Sequence, residues 1–78
     1  MTFYNFMMRN YLNSNGAKSD LAHDMRSDKS SFPKNSEGKY TGWYKLIYEY
    51  LVDRGACHDA LLVFETCWKE YLECEKRK

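Results

Sequence analysis

The chain has 78 residues and a mass of 9.3 kDa, room for one small domain that hides roughly 60% of its unfolded surface and is therefore marginally stable. Hydrophobic residues at 44%, with 17% of the chain aromatic, suit a packed core and exclude a disordered tail. Twelve Lys and Arg against eleven Asp and Glu leave a net charge of +1, so no overall field points to DNA, RNA or a membrane, and a large enzyme with its own cofactor domain does not fit.

Four helical stretches follow from the periodicity, and no strand does. Residues 2–12 open with Thr2 as N-cap. Phe3, Phe6, Met7 and Tyr11 mark one face, and Tyr4, Met8 and Leu12 the face beside it. An apolar arc of roughly 240° is wide for a surface helix, so this helix is either wedged among the others or meets a partner. Asn13, Ser14, Asn15 and Gly16 end it with residues that tolerate left-handed backbone.

Ser19 caps a second, shorter helix, with Leu21, Ala22 and Met25 inward and Asp24 and Asp28 four apart on the outside. Pro33 breaks the chain and holds Phe32 extended, where an aromatic plugs the core from its edge. Residues 35–42 are polar, hold two glycines and are the expected mobile segment.

Thr41 caps the third helix, which runs to about Asp53. Trp43, Leu46, Ile47, Tyr50 and Leu51 fit the amphipathic template, Tyr44 and Tyr48 widen that face, and Lys45, Glu49 and Asp53 lie opposite. Gly55 is its C-terminal cap. The last helix begins near His58, with Leu61, Phe64, Trp68 and Tyr71 or Leu72 as its buried stripe and Glu65, Lys69 and Glu73 as a charged row. The expected core is Phe3, Phe6, Met7, Leu21, Phe32, Leu46, Ile47, Leu51, Phe64 and Trp68, in one domain spanning residues 1–78.

The first twelve residues do not read as a secretory signal, and no window approaches the ~18 apolar residues of a membrane span. Cys57, Cys67 and Cys74 are an odd number. On one helix, Cys67 and Cys74 would stand roughly 10 Å apart, seven residues at about 1.5 Å each, beyond disulfide reach. Reduced thiols and a cytoplasmic location are the expectation. His23, Cys57 and His58 supply zinc-ligand residue types, but no Cys-x-x-Cys pair exists and neighbours on a helix diverge, so no metal and no cofactor is expected.

These segments resemble the YozE-like family of small bacterial proteins, whose fold is similar to sterile alpha motif (SAM) domains. Phe3-Tyr4-x-Phe6-x-Met8-Arg9 resembles its aromatic opening, and Asp20-Leu21-Ala22 with Asp28 its second-helix segment. Ser31-Phe32-Pro33-Lys34-x-Ser36 matches its most recognisable motif, Tyr50-Leu51 fits the end of the third helix, and Phe64-Glu65-x-x-Trp68-x-x-Tyr71 matches the closing helix. Around residues 37–42 this chain carries a few more residues than its relatives. The resemblance implies an all-α, compact SAM-like bundle of four to five short helices, and it implies no catalytic residue.

No nucleophile elbow, phosphate-cradling glycine loop or H-E-x-x-H pair is present, and Cys57 beside His58 is no nucleophile–base pair because sequence neighbours on a helix diverge by about 100°. No enzyme activity is expected. Residues 1–45 carry +3 and residues 46–78 carry −2. Arg26, Lys29, Lys34, Lys39 and Lys45, interleaved with Tyr40 and Trp43, form a candidate nucleic-acid surface. Gly55-Ala56-Cys57 lacks the second glycine of a phosphate-binding hairpin, and Asp24, Asp28 and Glu37 dilute the patch.

Protein–protein interaction fits better. The wide arc of the first helix, with Tyr4 and Met8, and the seven tyrosines and two tryptophans favour an interface, against the rival that large aromatics fill a small core. The expected function is therefore a non-catalytic binding module for an unknown protein partner, in an undetermined oligomeric state. Nucleic-acid binding through residues 26–45 is the alternative, and a small mobile-element-encoded inhibitor of a host protein a lower one.

Overall fold

Thr2 opens the first helix in the computed structural model, which describes residues 1–34 and 40–77. Its extended backbone, with φ −78° and ψ 159°, lets Oγ1 accept from the Asn5 amide at 3.1 Å, which satisfies one of the free first-turn donors. The helix α1 (Phe3–Asn10) then ends two residues earlier than the periodicity predicts: Tyr11 is its C-cap, its amide donating to the Met7 carbonyl at 2.9 Å. Tyr11 leaves the helix with its hydroxyl turned to the Glu70 carboxylate. None of the residues 13–15 is left-handed. Among the described residues positive φ occurs at Gly16 and Gly55 alone.

Gly16 decides where the second helix starts. At φ +93° it adopts a backbone that side chains disfavour, and its carbonyl accepts the first helical bond from the Asp20 amide at 3.0 Å. Thus α2 (Ala17–Ser27) has Gly16 and not Ser19 as its N-cap, and Ser19 lies inside the helix, buried. At the other end the Asp28 carbonyl accepts from the amides of Ser31 and Phe32, at 2.8 and 2.7 Å. That tight turn aims Phe32 back at the protein, where its ring meets Tyr4 at 6.0 Å and Tyr50 at 5.4 Å between centroids. Phe32 is the expected plug.

The helix α3 (Tyr40–Asp53) includes Thr41, which stands within it and is not its cap, and the Tyr40 ring packs on Tyr71 at 5.8 Å. It ends in a Schellman motif at Gly55 (φ +85°): the Gly55 amide donates to the Val52 carbonyl and the Ala56 amide to the Leu51 carbonyl, both at 3.0 Å. The helix α4 (His58–Lys76) follows directly and packs against each of the other three helices, while α1 also packs on α2.

Phe3 is the hub of the core, its ring 5.2–5.7 Å from those of Phe64, Trp68 and Tyr71. Nine of the ten expected core residues are buried, joined by Tyr4, Ala22, Met25, Cys67 and Tyr71. Leu46 is the exception, at 51% exposed. Among the described residues α3 packs on α4 and on no other helix, and it turns its tyrosines there. Tyr44 stacks on Phe64 at 5.5 Å and Tyr48 reaches the same ring at 6.4 Å, which leaves Ile47 and Leu51 inward and swings Leu46 to the rim.

The domain measures 31 × 25 × 23 Å with a radius of gyration of 11.5 Å. A compact globule of this length is expected at about 11.5 Å, so the described helices form one compact body. No described helix is long and apolar enough to cross a membrane. Lys39, Ser36 and the rest of the expected mobile segment up to residue 39, with half of the stretch 37–42 that holds the extra residues, lie outside the described residues, as does Lys78.

Candidate functional site

The four phenylalanines, seven tyrosines and two tryptophans all belong to the core or pack against it. The wide apolar arc of α1 is likewise covered: Phe3, Tyr4, Phe6 and Met7 are buried, and Met8 is half-buried against the core. Tyr4 is thus not an available surface group. Its ring lies under the Lys34 ammonium, 4.8 Å away, and packs tilted against Phe32, because the Phe32 turn covers α1 where it packs on α2 and α4. Efficient filling of a small core accounts for the aromatic surplus.

The basic residues are brought together in part. Arg26, Lys29 and Lys34 are exposed at the end of α2 and in the turn after it. The Lys34 Nζ donates to the Lys29 carbonyl at 2.5 Å and reaches toward that of Phe32 at 3.4 Å, so two of its hydrogens are engaged by the chain itself. Lys45 is exposed on the outward face of α3, and no hydrogen bond, ion pair or ring contact among the described residues joins it to the others. Tyr40 is a correction too. It is no free stacking platform, since its ring packs on Tyr71 and its hydroxyl points to Glu75 Oε1 at 3.4 Å.

Other polar side chains hold the helices in place. Glu70 accepts from the Tyr11 hydroxyl and from Lys18 Nζ, the latter at 2.6 Å, which ties the α1–α2 connection to α4. Burial raises the Glu70 pKa, but the two donors outweigh it and hold the carboxyl below its usual range. Tyr44 donates to Glu65 at 2.6 Å, and that bond first, with burial second, pushes its hydroxyl up to about 12. Glu75, 4% exposed, is paired with the N-terminal ammonium at 3.1 Å. Cys67 is buried, and loss of solvent pushes its thiol up to about 11, so it is inert. Cys57 is exposed and Cys74 half-buried, and the three form no disulfide. No group of three or more His, Cys, Asp or Glu among the described residues is placed to hold a metal ion.

A cleft of about 520 Å³ between the last turn of α2, the Phe32 turn, the end of α3 and the start of α4 combines an apolar floor with charge. Leu21, Met25, Phe32 and Leu51 form its buried floor. Asp24, Asp28 and Arg54 supply its charge, with Arg54 Nη2 donating to Asp28 Oδ1 at 2.9 Å. The Tyr50 hydroxyl, at the same place, is shielded from solvent and faces the Asp28 carboxylate without meeting full hydrogen-bond geometry among the described residues. Burial raises its pKa first, and the nearby Asp28 carboxylate adds to that.

This cleft escapes a reading by residue motifs, because its parts come from three helices and a turn. One signal of it does stand in the sequence. Asp24 and Asp28 occupy the last turn and C-cap of α2, the negative end of the helix dipole, where carboxylates are disfavoured. They also repel each other at i, i+4 spacing by about 0.2–0.5 kcal/mol. Two shallower depressions carry no such pair of carboxylates. The one of about 440 Å³ beside Tyr11 and Leu62 has its Lys18 tied to Glu70, and the one of about 360 Å³ beside Trp68 has its Glu65 tied to Tyr44 and Lys69 exposed at its edge.

No curated protein and no solved structure matches the chain. A family model does, over residues 2–73, nearly the whole length: the YozE SAM-like fold. The chain belongs to that family, and its four-helix architecture is the SAM-like bundle that membership entails.

Proposed function

We propose that this member of the YozE SAM-like family is a non-catalytic, cytoplasmic protein-binding module and that the cleft between α2, the Phe32 turn and the α3–α4 junction meets its partner. The observation that carries this reading is the make-up of the cleft. It has a preformed apolar floor with charged groups at its edge, a combination that receives a protein side chain, and its two carboxylates outnumber its one guanidinium. Phosphate is poorly served there. Three cysteines without a disulfide accord with a reducing compartment. Cys57 and His58 share no hydrogen bond among the described residues, which leaves the exposed thiol without a base.

Ser27 tests the reading because it lines the cleft and is exposed, so Ser27→Trp fills the cleft without entering the core. Affinity capture from lysate of the source cells is expected to retain a protein on the wild type and lose it on Ser27→Trp, with both forms equally helical by circular dichroism. A partner held equally by both forms places the interface elsewhere. Binding of labelled DNA at low salt, abolished by Lys34→Glu and untouched by Ser27→Trp, would replace this reading with the nucleic-acid one.

A further inference from the structure

The charge of the cleft selects among protein partners. Asp28 Oδ1 is taken by Arg54, while the Asp24 carboxylate makes no ion pair among the described residues. No lysine or arginine stands three or four residues from Asp24 or Asp28 on α2; those positions hold Asp20, Leu21, Met25, Ser27, Ser31 and Phe32. The last turns of both α2 and α3 line the cleft, and helix C-termini carry partial negative charge. The first turn of α4 contributes the opposite sign through Ala60; among the side chains that line the cleft, two carboxylates face one guanidinium, while exposed Arg26 and Lys29 stand beside Asp28 in the chain but outside that lining. Repulsion between the two carboxylates and their place on the dipole are both relieved by an added cation, and the floor beneath them is apolar.

We propose that the cleft docks a segment of a partner protein that presents an arginine or lysine beside an aliphatic side chain. The cation lies over Asp24 and the outer oxygen of Asp28, and the aliphatic group sits on Met25, Leu51 and Ala60. This rests on the cleft being the partner surface. It predicts a partner whose contact region is basic, although the domain itself carries +1. Association is then steered by the α2 wall, and salt weakens it.

The test is titration of the full-length, isotope-labelled chain by nuclear magnetic resonance with three capped tripeptides: acetyl-leucyl-arginyl-leucinamide and its counterparts with glutamate and with norleucine at the centre. The arginine peptide is expected to shift the amides of Asp24, Asp28, Leu51 and Ala60 and to bind about two- to fivefold tighter than the other two, the range of one solvated ion pair. Asp24→Asn, an exposed and near-isosteric change, is expected to remove that preference, as is high salt. If the three peptides shift the cleft amides equally, or if the preference survives in Asp24→Asn, the choice of a cation is overturned while the cleft stands as a docking surface. If none of the three perturbs the cleft, the docking surface falls as well.

Discussion

Leu46 and Ile47 are neighbours on α3 and give opposite answers to truncation. Ile47 is fully buried, so Ile47→Ala removes three carbons at about 0.8 kcal/mol each and leaves a cavity, against a few tenths gained in helix propensity. The net expected loss is about 2–3.5 kcal/mol. Leu46 is 51% exposed, so the same truncation forfeits about half the transfer energy, close to 1 kcal/mol or less. Urea unfolding followed by circular dichroism and by tryptophan fluorescence reads the difference, since an m-value of about 1 kcal/mol/M converts it into a midpoint gap of about 1–3 M. The two probes must give coincident transitions. If Leu46→Ala costs as much as Ile47→Ala, α3 is turned by about 50° and buries both residues, the face that a plain amphipathic template assigns.

Two glycine substitutions are expected to differ in sign. Gly16→Ala places a side chain at φ +93° with nothing crowding it, a backbone cost of about 1–3 kcal/mol, whereas Gly42→Ala within α3 meets open space and stabilises by about 0.4–1 kcal/mol; equal thermal midpoints for the two variants would sink the assignment of Gly16 as the α2 cap. The Glu70 carboxyl is held below its usual pKa, so the stability it contributes is present above the unfolded value near 4.5 and is lost as pH falls through the folded one. Glu70→Gln should therefore be less stable by about 0.2–1 kcal/mol near neutrality, with the gap closing in acid, and a gap constant with pH would contradict the pairing with Lys18 and Tyr11. With a thiol-reactive disulfide reagent, exposed Cys57 is expected to react first and Cys67 after unfolding; modification of Cys67 at the Cys57 rate would disprove its burial.

Local rules carried far along this chain. Thr2 needed its own hydroxyl and an amide three residues on, and Gly55 needed a left-handed turn, both within a few residues of sequence. The helical class and nine of the ten expected core positions are legible for the same reason: a 3.6-residue period of apolar groups tells which side of a helix is dry. The family motifs agree with that pattern over residues 2–73.

What a period does not state is which neighbour a helix will face. Two adjacent stripes of α3 are both apolar, and the choice between them was made by Tyr44 stacking on Phe64 of α4, twenty residues away. Tyr4 reads as spare surface until the Phe32 turn folds over it, and Tyr40 as a stacking platform until Tyr71 takes its ring. The cleft belongs to this second kind of fact. Asp24 and Asp28 sit on one helix, Arg54 beyond the end of another and Ala60 on a third, so their meeting depends on how three helices cross. Sequence by itself determined that this chain forms short helices around an aromatic core, because helix periods, caps and turns are settled by neighbours in the chain. Tertiary structure alone decided which aromatics were consumed by that core and which charges were left facing a cleft, because burial is settled by groups that are distant in sequence.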